Sequence, residues 1–175
     1  MKFITFLILL VPAMALSDTK DKVDRVCKRM KYEDCTLIKA IITVESSFNP
    51  LSVGHDGNGS LGLMQIKCST ARTLDNINGR KPIECQKLFI SEVNVAYGIE
   101  YLRHLHDLLT VKPNKYELLS AYNGGYLFHR LTNSYRVKLC NAVSFKKKRK
   151  CVKGQPFNIE YSKRVMAVYK KIIGE

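Results

Sequence analysis

The sequence predicts a mainly α-helical single domain with at most one small hairpin. Apolar residues recur at spacings of three and four along most of the chain, which places them on one face of a helix. Apolar and polar residues hardly ever alternate over strand length, and only the glycine-rich stretch from 54 to 62 offers a tight reversal. No repeat and no linker interrupts residues 16–175, a length that one hydrophobic core serves.

Taken in order, the first helix face is Val23, Cys27 and Met30. The second is the apolar run Leu37 to Val44, in which Ile38, Ile41 and the following Glu45 share a stripe. Val95, Ile99, Leu102, Leu105 or His106, and Leu109 form a third. A capping pattern, Asn114-Lys115-Tyr116-Glu117, opens a fourth helix through Leu118, Leu119 and Ala121. Tyr122 and Asn123 end that helix, and Gly124-Gly125 stop it because glycine accepts left-handed backbone angles. Tyr161, Val165, Val168, Tyr169 and Ile172 form the last face.

Lys2, the apolar run Phe3 to Val11 and the small-x-small tripeptide Ala13-Met14-Ala15 read as an export signal cut after residue 15. An uncleaved N-terminal anchor is the alternative. Export into an oxidising compartment suits six cysteines, Cys27, Cys35, Cys68, Cys85, Cys140 and Cys151. Fifteen pairings are open, and joining chain neighbours is the simplest. Without a C-x-x-C pair or a Cys-His pattern, metal binding and thiol catalysis are disfavoured. The formal charge of +14 favours polyanions. In an exported protein these are anionic wall or envelope polymers rather than nucleic acid. The run Lys146-Lys147-Lys148-Arg149-Lys150 reads either as a contact for such polymers or as a plain solvated loop.

Glu45 ends a run where another aliphatic residue would be expected. A carboxyl facing apolar neighbours keeps its proton, because desolvation penalises the ionised form, and a general acid near neutral pH needs that. The competing reading is a helix-terminal glutamate reaching water. Two carboxylates usually flank a glycosidic bond that is cleaved. Asp56 is the nearest second acid, although in a glycine-rich loop Asp commonly closes a turn.

Three segments follow in a distinctive order: Glu45-Ser46, then Gly62-Leu63-Met64-Gln65, then Ala121-Tyr122-Asn123. Together they resemble the E-S, G-L-M-Q and A-Y-N signatures of the soluble lytic transglycosylases, relatives of goose-type lysozyme. The resemblance spans about residues 32 to 173 and implies a lysozyme-like fold with a substrate groove. It implies cleavage of peptidoglycan between N-acetylmuramic acid and N-acetylglucosamine, leaving 1,6-anhydro ends, with no cofactor. Glu45 would act as acid and then base, and the Tyr122 hydroxyl would approach Glu45 or the sugar.

Substrate-contacting candidates by the same resemblance are Ser46, Ser60, Met64, Gln65, Asn123 and Tyr161. Each has a plainer reading. Gln65 could satisfy its own turn, Met64 could pack behind one wall, Asn123 could form the helix stop and Tyr161 could be core. Many family members carry Ser-Pro-x-Gly-Ala before G-L-M-Q. Here Gly54 to Leu61 is longer, so Ser60 has no fixed equivalent. The form Gly54-His55-Asp56-x-x-Gly59-Ser60 most resembles small single-domain members that accompany secretion and conjugation machines.

No metal is expected. The partial calcium pattern Asp56-x-Asn58-x-Ser60 continues with Leu61 and Lys67 where Gly and Glu are required. His104 and His106 point to different helix faces, and His55 and His129 stand alone. The expected protein is a monomer. The alternatives are a hydrolase of the same bond and a catalytically silent wall-binding protein.

Overall fold

The computed structural model describes residues 13–54, 59–109, 113–125 and 159–175. Residues 1–12 of the export segment, His55, Asp56, Asn58, His129, the 146–150 basic run and the Cys140–Cys151 pair lie outside them. Among the described residues, six α-helices make the body: α1 (Ala13–Arg29), α2 (Cys35–Ser46), α3 (Cys68–Ile77), α4 (Ser91–Leu108), α5 (Lys115–Gly124) and α6 (Ile159–Ile173). The fold is mainly helical, as expected. Among the described residues, no helix is long and apolar enough to cross a membrane.

α2 is the central element. Asp34 caps it by accepting the Leu37 N–H at 3.1 Å, and Ser47 ends it with φ of 52°. Leu37, Ile38, Ala40, Ile41 and Ile42 are all buried. The expected single stripe is therefore too narrow: α2 is enclosed on most sides, packing against α1 and most extensively against α6.

α1 buries Val23, Val26 and Cys27, while Met30 lies just past its end. α4 buries Val95, Ile99, Leu102 and Leu105, and His106 faces outward, which settles that choice. α5 carries the full capping box, with Asn114 Oδ1 accepting from Glu117 N and Glu117 Oε2 accepting from Asn114 N, both at 3.0 Å. The last face is shorter than its sequence pattern: Tyr161 and Val165 are buried, but Ile172 is 46% exposed because α6 runs past the core.

The hairpin extends past the glycine-rich stretch. Its strands are β1 (Ser60–Leu61) and β2 (Ile66–Lys67), paired Ser60 to Lys67 and Leu61 to Ile66. Its reversal is Gly62-Leu63-Met64-Gln65, and the ends of the glycine-rich stretch fold back on each other as expected, with Val53 bridging Leu61 antiparallel and Gly62 N donating to the Ser52 carbonyl at 2.8 Å. Disulfides join Cys27 to Cys35, between α1 and α2, and Cys68 to Cys85, between α3 and a short 3-10 helix (Cys85–Phe89). These are two of the three neighbour pairs. The sequence pattern assigned neither α3 nor the 3-10 helix, since both are short and mostly polar at the surface.

Candidate active site

Glu45 occupies the last turn of α2, half-buried. The Tyr161 hydroxyl, on α6, donates to its Oε1 at 2.6 Å. Burial pushes the Glu45 carboxyl above its ordinary value of 4.5, while the Tyr161 hydrogen bond and the positive charge of Arg164 pull it partly back. The C-terminal end of a helix carries negative partial charge, which also disfavours the ionised acid.

The two tyrosines of the site stay protonated. Burial first, and Glu45 second, lift both the Tyr161 and Tyr122 phenols well above their ordinary range. Tyr161 is only 4% exposed and bonds the acid directly, so it is at once the core residue and the site residue that its sequence position left open. Tyr122 is held differently from Tyr161. Its hydroxyl donates to the Met64 carbonyl at 2.7 Å, so it acts on Glu45 only through space and braces the hairpin turn from below. Its ring also packs on Tyr101, with centroids 5.4 Å apart.

The hairpin turn is fastened from several sides. Ser46 Oγ donates to the Leu63 carbonyl at 2.8 Å, tying the residue after the acid to the turn. Gln65 adopts φ of 49°, and its Nε2 donates to the carbonyls of Gly62 (2.9 Å) and Ser52 (3.1 Å). That is the turn-satisfying role, and its Oε1 takes no hydrogen bond from the described residues. Met64 is fully buried, which corrects its place among sugar contacts: it shapes the wall from behind. Ser60 sits in β1 with its carbonyl accepting from Gly54 N at 2.8 Å, and Asn123 is exposed near the end of α5.

Asn94 and Gly98 were missed from the sequence. Asn94 is fully buried on α4. Its Nδ2 donates to the carbonyls of Leu61 and Leu88, each at 2.8 Å, and its Oδ1 accepts from Met64 N at 2.7 Å. Gly62, at φ of 74°, leaves no room for a Cβ against the Leu88 carbonyl and the Asn94 amide. Gly98 lies where a Cβ would run into the Met64 side chain. A polar residue on an apolar stripe, and a glycine inside a helix pattern, were the available signals. Beyond Tyr101, a mostly apolar hollow of about 260 Å³ opens between α3 and α4, lined by Leu74, Leu105 and Leu108 together with Ser69, Thr70, Thr73, Tyr101 and His104.

A family model described as "Transglycosylase SLT domain" matches residues 25–141. Among curated proteins, the chain is similar to the membrane-bound lytic murein transglycosylase C of Photorhabdus laumondii, 36% identical over 99 residues, covering 53% of this chain and 27% of that protein. The protein of the same name from Klebsiella pneumoniae is 31% identical over 128 residues, covering 69% and 35%. The membrane-bound lytic murein transglycosylase E of Buchnera aphidicola is 35% identical over 102 residues, covering 54% and 45%.

This chain thus spans less than half the length of these relatives. Among solved structures, the 70 kDa soluble lytic transglycosylase SLT70 of Escherichia coli matches with a TM-score of 0.63 at 24% identity, over 89% of this chain and 24% of that one. An inactive mutant of the lytic transglycosylase Slt of Pseudomonas aeruginosa matches at 0.61 and 22%, with the same coverage of 89% and 24%.

Proposed function

The chain belongs to the transglycosylase SLT family, and from that premise we propose that it is a lytic transglycosylase of peptidoglycan. The observation that carries the reading is the pairing of Tyr161 with a half-buried Glu45 whose carboxyl is held above its ordinary pKa. A neutral Glu45 gives its proton to the oxygen linking N-acetylmuramic acid to N-acetylglucosamine. The C1–O bond breaks with an oxocarbenium-like transition state. Glu45, now ionised, takes the proton from the muramic 6-hydroxyl as that oxygen bonds to C1. The 1,6-anhydro ring forms, the acid is regenerated and no water is consumed.

Tyr161 serves both halves of this cycle. Its hydrogen bond to Oε1 stabilises the carboxylate formed by the first proton transfer and leaves Oε2 for the sugar. Among the described residues, Tyr161, Arg164 and, through space, Tyr122 act on Glu45.

Export by residues 1–15 places the enzyme at the wall as a monomer, with its positive charge drawn to anionic wall or envelope polymers. Removal of that segment leaves the part of α1 that carries Val23, Val26 and Cys27. Service to a secretion or conjugation apparatus belongs to the same reading.

The test is Glu45→Gln assayed on purified walls, with products identified by mass spectrometry. The unmodified chain releases anhydro-muramic ends and the variant does not. Reducing ends would establish the hydrolase instead, and cleavage surviving in the variant would remove Glu45 from the mechanism.

A further inference from the structure

α6 presents two side chains to the site. Tyr161 reaches Glu45, and Arg164 follows one turn later on the same face, its guanidinium carbon 5.9 Å from the centre of the Tyr161 ring. Arg164 is exposed, and among the described residues it forms no ion pair and donates no hydrogen bond. Several other cations are engaged. Lys163 pairs with Glu160 at 3.3 Å, Arg80 is held by Asp75 and Glu100, and Arg103 donates to the Met30 carbonyl at 2.6 Å. The ring of Tyr161 props the guanidinium by a cation–π contact, which orients the fork without occupying its donors.

We propose that Arg164 binds a carboxylate carried on O3 of the substrate's muramic residue. The inference rests on the proposed function, because that substrate sets a 3-O-lactyl group beside the scissile bond. The lactyl group ends either in a free carboxylate or in a peptide stem with carboxylates of its own. A planar guanidinium with open donors matches a carboxylate in bidentate fashion, and one next to Glu45 meets the residue being cleaved rather than a distant sugar. Arg164 is thereby a specificity determinant: it separates muramic glycans from uncharged glycans of the same backbone.

The experiment measures binding to the full chain in a Glu45→Gln background, which halts turnover. Three tetrasaccharide probes are used: one bearing peptide stems, one with the stems removed by an amidase to leave free lactyl carboxylates, and chitotetraose, which has no carboxylate. Arg164→Gln is expected to weaken a carboxylate probe about tenfold and leave chitotetraose within about twofold, with Arg164→Lys intermediate because it keeps charge but not the fork. Loss on the stem-free probe, whose lactyl carboxylate is free, assigns the lactyl group. Loss on the stem-bearing probe alone assigns the stem.

Equal loss on all three probes, or unchanged or absent binding of both carboxylate probes, overturns the proposal. Release of anhydro ends by the unmodified chain is measured separately. The lyase reading can therefore fail while a selective Arg164 effect stands, and the reverse.

Discussion

The Tyr161 hydroxyl lies 2.6 Å from Oε1 of Glu45, although 116 residues separate the two in the chain. The last helix therefore completes the acid that α2 provides. Tyr161→Phe removes a donor that favours the ionised form, so the Glu45 carboxyl rises further above 4.5. The limb of the pH–rate profile that reports Glu45 should move to higher pH. Turnover should fall about 10-fold or more, since a hydrogen bond to a charged group is worth roughly 1.5–3 kcal/mol. A profile measured on soluble glycan strands decides the matter: an unmoved limb would separate Tyr161 from the acid's chemistry.

Stability carries the same signature with a definite sign. Between pH 4.5, where Glu45 titrates in the unfolded chain, and its higher folded value, the native state keeps a proton that the unfolded state has released. Unfolding then binds fewer protons than folding, so this group's contribution falls as pH rises through that window. Glu45→Gln removes the penalty and can still accept from Tyr161. Its Tm should exceed that of the unmodified protein by roughly a few degrees at pH 7 and converge with it below about pH 4. Equal Tm values at both pH extremes would mean that Glu45 is not desolvated in solution.

Much of this architecture was legible from local pattern. Spacings of three and four located α1, α2, α4, α5 and α6, and the Asn114–Glu117 box was readable because capping depends on neighbours in sequence. The position of Glu45 at the end of an apolar run likewise announced a desolvated acid. Partnerships across the fold were not legible. Nothing local shows that Tyr161 would take Glu45 while Tyr122 took the Met64 carbonyl, since both are tyrosines on helix faces and the choice depends on how α5 and α6 dock against α2. The second reversal at Gly62 to Gln65 was not legible, because two-residue strands have too few positions to show alternation. Arg164 gave no signal beyond charge until α6 set it over the Tyr161 ring.

Asn94 fastens the hairpin to α4 by hydrogen bonds with Met64 N and the Leu61 carbonyl, and the same amide holds the Leu88 carbonyl. Asn94→Ala leaves the Met64 N–H and the Leu88 carbonyl without that partner in a dry interior, where each orphaned group costs about 1–3 kcal/mol. A loss of about 3–5 kcal/mol in denaturant unfolding is expected, with wall cleavage reduced in the fraction that stays folded. Asn94→Asp should fare no better: it keeps an acceptor for Met64 but turns a carboxylate oxygen toward the carbonyls of Leu61 and Leu88. A loss under about 1 kcal/mol for either variant would show that the turn holds without this anchor.

Gly98 and Met64 form a further contact between α4 and the turn, and each limits the other. A methyl group at Gly98 meets the Met64 side chain, which is enclosed and cannot swing into solvent. Overpacking of this kind costs about 1–3 kcal/mol, partly offset by the roughly 1 kcal/mol that alanine gains over glycine inside a helix. Gly98→Ala should therefore lower stability by about 1–2 kcal/mol and slow cleavage, because Met64 also supplies the carbonyl that Tyr122 holds and the N–H that Asn94 holds. Met64→Ala alone opens a cavity and costs about 2–5 kcal/mol. In the double variant the new methyl group meets no side chain, so the two costs should fall short of their sum by about 1 kcal/mol or more in a double-mutant cycle. Strict additivity would show that Gly98 is not glycine on account of Met64.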